Sequence, residues 1–242
     1  MKNSIEVINL SKSYKTKKAV NNISFKIDEN EIVGLLGPNG CGKTTTIGMI
    51  LGLLKPTSGQ VLINGKNIEN NKISILHKMN FISPYIELPK KLTVKQNLIV
   101  YGKLYNIKNL NERINFLTEK LRLGDLLDKI TGELSSGQKN RVSLAKALIN
   151  DPTVLLLDEP TAALDPETAD FIRTFLEKLR EEKKISVLLA SHNMDEVKRL
   201  CNSVMMMKDG NIVDGGTPED LIEKYGQKNL EEVFLEIVRK DK

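Results

Sequence analysis

The 242-residue chain is 40% hydrophobic and 28% charged with a formal net charge of +5, a balance that fits one large or two small globular domains and excludes a disordered or membrane-embedded chain. Met1-Lys2-Asn3-Ser4-Ile5-Glu6 holds no apolar region of signal-peptide length, and nowhere do apolar residues run for the ~18 positions a spanning helix needs. Two isolated cysteines, Cys41 and Cys201, exclude a disulfide framework or a cysteine metal cluster, so a reduced, cytosolic protein with an aliphatic core is expected.

Positions 5–10 partly alternate, as a half-buried strand does, and Ser11-Lys12-Ser13-Tyr14 and a Lys-rich turn follow. Positions 20–27 read as a second strand, closed by Asp28-Glu29-Asn30. The apolar run Ile32-Val33-Gly34-Leu35-Leu36 then leads into Gly37-Pro38-Asn39-Gly40-Cys41-Gly42-Lys43-Thr44-Thr45. A helical pattern through Ile47, Ile50, Leu51 and Leu54 completes the strand–loop–helix setting that the G-x-x-x-x-G-K-[ST] pattern requires. Glycines there let backbone N–H groups close around a polyphosphate, and the helix start adds a positive dipole end and unpaired donors. Lys43 has the reach for β- and γ-phosphates, and the Thr44 hydroxyl suits Mg²⁺. A bound nucleoside triphosphate is the expectation. The competing reading, a plain glycine-rich turn, is disfavoured because both flanks are correct.

Beyond a loop at Pro56-Thr57-Ser58-Gly59, the Asn64-Gly65 pair between Val61-Leu62-Ile63 and Lys66 marks a tight hairpin. An antiparallel β-layer therefore flanks a core that is otherwise parallel α/β. Thr93 and Gln96 have capping-box spacing before Leu98, Ile99, Tyr101 and Leu104, and Ile114, Phe116, Leu117 and Leu121 form another helical pattern. With no strong strand signal from about 93 to 150, this stretch reads as an inserted helical subdomain. Ser135 and Gln138 cap the next helix, whose face carries Val142, Ala145, Leu148 and Ile149 and whose N-terminus is a potential anion site.

Val154-Leu155-Leu156-Leu157 ends in Asp158-Glu159, the way a buried parallel strand delivers acids to the ligand edge of a sheet. Asp158 is placed to hold Mg²⁺ and Glu159 to face the attacking water. Met205-Met206-Met207 reads as a buried strand, and Thr217-Pro218 and Asn229 open two C-terminal helices, the last one amphipathic. Cys41, beside a helix N-terminus, has a conceivable redox role through a lowered pKa, against the plainer reading of a small neutral substitution.

In order and spacing these stretches resemble the ATP-binding subunit of an ABC transporter. Gly37 to Thr45 is similar to its Walker A, Leu134 to Gln138 to its signature, Val154 to Glu159 to its Walker B, Ala163-Leu164-Asp165 to its D-loop and Ser191-His192-Asn193 to its switch-histidine segment. The resemblance implies a P-loop NTPase core over 1–84 and 151–226, a helical subdomain over 85–150 and a C-terminal helix over 227–242. It implies ATP and Mg²⁺ as cofactors, Tyr14 stacked on adenine, Glu159 as general base and His192 on the γ-phosphate; His77, without such a motif, is left as a surface residue. It further implies that Ser135, Ser136, Gly137 and Gln138 cover the nucleotide of a second copy in an ATP-bound dimer. The remaining partner is a membrane-spanning permease on a separate chain, so a peripheral place on the cytoplasmic membrane face is expected, with no nucleic acid. A soluble ATPase acting on nucleic acid or ribosomes is the runner-up, but such relatives carry two ATPase units or a long coiled coil. A phosphate-loop kinase would leave the signature unexplained. Two positions depart from the family pattern: Ser136 stands where Gly is usual, and Ser83-Pro84 stands where a Gln normally joins core to helical subdomain. The junction, with a chain that ends soon after its last helix, is associated with export-type systems.

Overall fold

The computed structural model describes residues 3–15, 17–84 and 87–239. The expected domain boundary at 85, Thr16 in the Lys-rich turn, and the ends of the chain at 1–2 and 240–242 lie outside the described residues.

Strand β1 (Asn3–Tyr14) pairs antiparallel with β2 (Lys17–Asp28) and with β4 (Ser58–Ile63), which turns through Asn64 and Gly65, both at positive φ, into β5 (Lys66–Asn67). Strand β1 runs on through Ser11 to Tyr14, where the sequence reads as the end of the strand. Its polar residues stay paired because register shifts after Val7 and at Lys12 re-aim the strand without breaking the ladder.

The second sheet has the order β10-β9-β3-β8-β7-β6, formed by β3 (Ile32–Leu36), β6 (Met79–Ile82), β7 (Val154–Asp158), β8 (Ser186–Ala190), β9 (Ser203–Lys208) and β10 (Asn211–Gly216). Only the β9–β10 pairing is antiparallel. Central strands buried on both faces read as continuous apolar runs, and period-2 alternation divides them between two cores. Leu36, Leu155, Leu157 and Leu189 face one core; Val33, Leu35, Leu156 and Leu188 face the other. The second core also holds Ile47 and Ile50 of α1 (Lys43–Ile50) and the inner face of the antiparallel sheet.

The first core collects the helices of the middle and C-terminal thirds: α3 (Val94–Leu104), α4 (Leu110–Lys120), α5 (Ser136–Leu148), α6 (Pro166–Glu182), α7 (Met194–Leu200), α8 (Pro218–Tyr225) and α9 (Leu230–Arg239). The inserted helices thus share one continuous apolar cluster with the sheet. Capping boxes form at Thr93–Gln96, Ser135–Gln138 and Thr217–Asp220, each with its side chains bonded reciprocally to backbone N–H groups. Two elements carry no clear sequence signal: α2 (Ile68–Leu76), which bends at Asn71, and β6, which is short and mixes Met79 and Asn80 with Phe81 and Ile82. Buried Asn80 donates to Asn150 Oδ1 at 3.0 Å, which is why a polar residue is tolerated there.

Candidate active site

The parallel strands β3, β7 and β8 all point their C-terminal ends at one edge, the edge at which ligands bind open α/β sheets. Beyond β3 the chain makes the glycine loop. Gly42 is the N-cap of α1 with φ 116°, and a Cβ on it would overlap the Ala19 carbonyl, so both backbone and space require glycine. Lys43 folds back over the loop, its Nζ donating to the carbonyls of Gly37 at 2.6 Å and Pro38 at 3.2 Å.

An open cleft runs past this loop, lined by Tyr14, Lys17, Asn39, Gly40, Gly42, Lys43, Thr44, Thr45, Asp158, Glu159 and His192. Tyr14, 47% exposed, stands at the rim with Lys12 Nζ 5.2 Å from its ring centre. Gly37, Pro38 and Cys41 back the loop and do not line the cleft. Cys41 is buried in the β-layer core, and burial pushes its thiol above the usual range although Lys43 and the helix N-terminal N–H groups pull the other way. The expected lowering at a helix start is therefore overturned by desolvation.

Asp158 ends β7 and is 5% exposed. Burial, and next the neighbouring Glu159, raise its carboxyl above the usual range; Lys43 and a hydrogen bond from Ser83 counteract this. Ser83, in the place where a Gln is usual, thus reaches Asp158, a contact that the Gln pattern could not have revealed. Glu159 follows with φ 52°, a left-handed conformation that costs a non-glycine residue of order 1 kcal/mol, and its N–H is fixed by the Ala190 carbonyl at 2.8 Å. That turn brings the Glu159 carboxylate within 2.7 Å of Nδ1 of His192, the second residue beyond β8. His192 is 73% exposed and Glu159 20%. His77 is exposed and meets Tyr105 edge-on, away from the cleft.

Ser135, Ser136, Gly137 and Gln138, expected to act as a signature, lie at the start of α5 and line no part of the phosphate-loop cleft. Ser136 instead faces a neighbouring cavity with Ser83, Pro84 and Glu159. Gly137 packs against Thr168 of α6, and Asn140, one turn on, donates to the Pro160 carbonyl at 2.6 Å. Asp165 caps α6 by accepting from the Thr168 N–H at 2.9 Å, and that bond holds its exposed carboxyl below the usual range. Residues that the motifs did not single out are Asn140, Thr161 and Glu196, while Ser83 stood out only as a departure. Each is polar and at least partly buried, and only the tertiary arrangement shows what it contacts.

The donor set tests the expected cofactors. A glycine loop that leads into the N-terminus of α1, with Gly40 and Gly42 lining the cleft, suits a polyphosphate held by backbone N–H groups. One hydroxyl, Thr44, and one buried carboxylate, Asp158, suit Mg²⁺, which keeps waters and substrate phosphates as ligands. Among the described residues no three His, Cys, Asp or Glu side chains form a self-sufficient metal site.

A family model described as "ABC transporter" matches residues 20–162. The choline transport ATP-binding protein OpuBA of Bacillus subtilis (strain 168) is 35% identical over 229 residues, and the alignment covers 93% of this chain but 60% of OpuBA. The Nod factor export ATP-binding protein I of Burkholderia lata is 36% identical over 221 residues, covering 90% of this chain and 72% of that protein. The dimeric ATP-binding cassette MJ0796, in a post-hydrolysis state with ADP and Pi, superposes with a TM-score of 0.80 at 27% identity, over 88% of this chain and 98% of that one.

Proposed function

Since the chain belongs to the ABC transporter family and is an ATP-hydrolysing member of it, we propose that it energises a membrane permease on a separate chain by ATP-driven closure of a cassette dimer. The observation that carries this is the division of the site. The phosphate loop, Asp158, Glu159 and His192 share one cleft that none of Ser135 to Gln138 lines, and Ser136 reaches only the adjoining cavity, which meets the cleft at Glu159. A second copy is needed to bring a signature to the loop, and dimeric cassettes such as MJ0796 support that arrangement.

In this reading Gly37 to Thr45 hold the phosphates with backbone N–H groups, and Lys43 exchanges the loop carbonyls for β- and γ-oxygens. Thr44 and Asp158 would hold Mg²⁺, which would supply charge neutralisation at the phosphates. Glu159 takes the proton from the attacking water, a role typically worth ~10²–10⁴-fold in rate. His192, released from Glu159, turns its imidazole to the γ-phosphate, and Tyr14 stacks on adenine. Asp165 belongs to the dimer contact. We assign 1–84 and 151–226 to the nucleotide-binding core, 85–150 to the helical subdomain and 227–242 to a C-terminal helix.

No described helix is long and apolar enough to cross a membrane, which supports a peripheral place on the cytoplasmic face beside a permease. For direction we favour export, on the Ser83-Pro84 junction; the relatives do not decide it, since one is named for export and another for choline transport. Affinity purification from solubilised membranes tests the assignment. Recovery of a membrane-spanning partner together with Mg²⁺-dependent ATPase activity is expected, and recovery only with ribosomes or nucleic acid contradicts it.

A further inference from the structure

We propose that Glu196 is a positioning residue that holds Glu159 and His192 in a fixed relation, through hydroxyl bridges from Thr161 and Ser191. This rests on the ATP-hydrolysing site above. Glu196 lies on α7 and is 1% exposed. Thr161 Oγ1 donates to its Oε1 at 2.7 Å, and Ser191 Oγ donates to its Oε2 at 2.6 Å. The two hydroxyls come from segments that leave different strands. Thr161 is two residues past Glu159, beyond β7, and Ser191 immediately precedes His192, beyond β8.

Sheet pairing aligns the two strands only as far as Asp158 opposite Ala190. Past that point Glu159 turns through positive φ with only its N–H held, by the Ala190 carbonyl, and His192 projects into solvent, so the two loops that carry them need a further tie. Glu196 sits where it can. Ser191 Oγ also accepts from the Asn193 N–H at 3.1 Å, and Asn193 Oδ1 accepts from the Glu196 N–H at 3.0 Å, which closes the 191–196 turn on itself. On the other side, Asn140 holds the Pro160 carbonyl.

A buried carboxylate is a poor way to fill space, because an apolar side chain would pack there without desolvating a charge. Burial does raise this carboxyl above the usual range, with the Ser191 and Thr161 hydrogen bonds counteracting. The carboxylate offers what an apolar side chain cannot: two acceptor oxygens that tie two loops to one point. A fixed pair matters because sub-ångström placement of a base governs rate far more than it governs ground-state binding.

The test is steady-state ATP hydrolysis by the full chain and three variants, with thermal unfolding measured alongside. Glu196→Gln leaves one acceptor oxygen in place of two, while Thr161→Val and Ser191→Ala each remove one bridge and keep the acid. The expected result is a kcat lower by about 10–100-fold in each folded variant, with KM for Mg-ATP within about twofold of wild type. The Glu196→Gln, Thr161→Val double variant should fall no further than Glu196→Gln alone. Full kcat in the folded variants, or a rise in KM that accounts for the loss, overturns the proposal. Should Glu196→Gln fail to fold, the two hydroxyl variants decide the matter. A wild-type chain without ATPase activity would instead overturn the reading of the site itself.

Discussion

Lys43 and Asp158 show most plainly what the cleft sacrifices for chemistry. Lys43 Nζ is engaged with two loop carbonyls, so its reach to phosphate is a swing of an already oriented side chain. Lys43→Ala is expected to weaken ATP binding by at least about tenfold while leaving the fold intact, as measured by titration with a fluorescent ATP analogue. Asp158 has a folded-state pKa raised above its unfolded value. Its contribution to stability is therefore present below the unfolded pKa and lost as pH rises through the folded one, leaving the ionised group a liability near neutrality. Asp158→Asn should stabilise the protein at pH 7 by on the order of 1 kcal/mol, or ~2–4 °C, and abolish Mg²⁺-dependent hydrolysis. The gain should shrink as pH falls; differential scanning at several pH values reads it. The sequence made both residues legible, because a motif fixes their neighbours. The contact of Ser83 with Asp158, 75 positions away, and that of Glu196 with Thr161, 35 positions away, were not legible.

The elements that sequence patterns disclosed are those with a local physical cause. Capping boxes at Ser135 and Thr93, the Asn64-Gly65 turn and the apolar runs of β3, β7 and β8 each determine structure within a few residues. Strand β6 and helix α2 escaped because partners far along the chain make them: β6 by pairing to β7, α2 by packing Ile68 and Ile75 on the β-layer core. A similar long-range clip joins α8 to β10. Tyr225 donates to Asp214 at 2.7 Å and Lys224 to the same carboxylate at 2.8 Å. Burial works to raise the Asp214 carboxyl, but these bonds outweigh it and hold it below the usual range, while the bond to Asp214 pushes Tyr225 up to about 12. An acid with a lowered pKa adds stability above its unfolded value that is lost as pH falls through the folded one. A phenol with a raised pKa adds stability that is lost as pH rises through about 12. Tyr225→Phe should therefore cost ~1–2 kcal/mol at pH 7, and the deficit should fade toward acid and toward strong alkali, as followed by denaturant unfolding.

At the scale of the whole molecule, the chain folds around a phosphate loop whose cleft the N-terminus of its own α5 does not line. Motif order made the fold class and the ATPase core readable, since the phosphate loop, Asp158-Glu159 and His192 each follow a strand to one sheet edge. That Ser135 to Gln138 serve a second copy was already an expectation of the resemblance; what only the assembled fold shows is the packing of α5 on α6 through Gly137 and Thr168. Mixing Lys43→Ala chains with Ser135→Ala chains should restore activity to a fraction of the mixed dimers, because one dimer of that kind keeps one complete site. The most direct measurement is the mass of Glu159→Gln in solution by light scattering, with and without Mg-ATP. With the proposed base removed the variant should be monomeric alone and dimeric in Mg-ATP, at a concentration where wild type returns to monomer as ATP is consumed. A variant that binds ATP yet stays monomeric at every concentration tested would contradict the shared site.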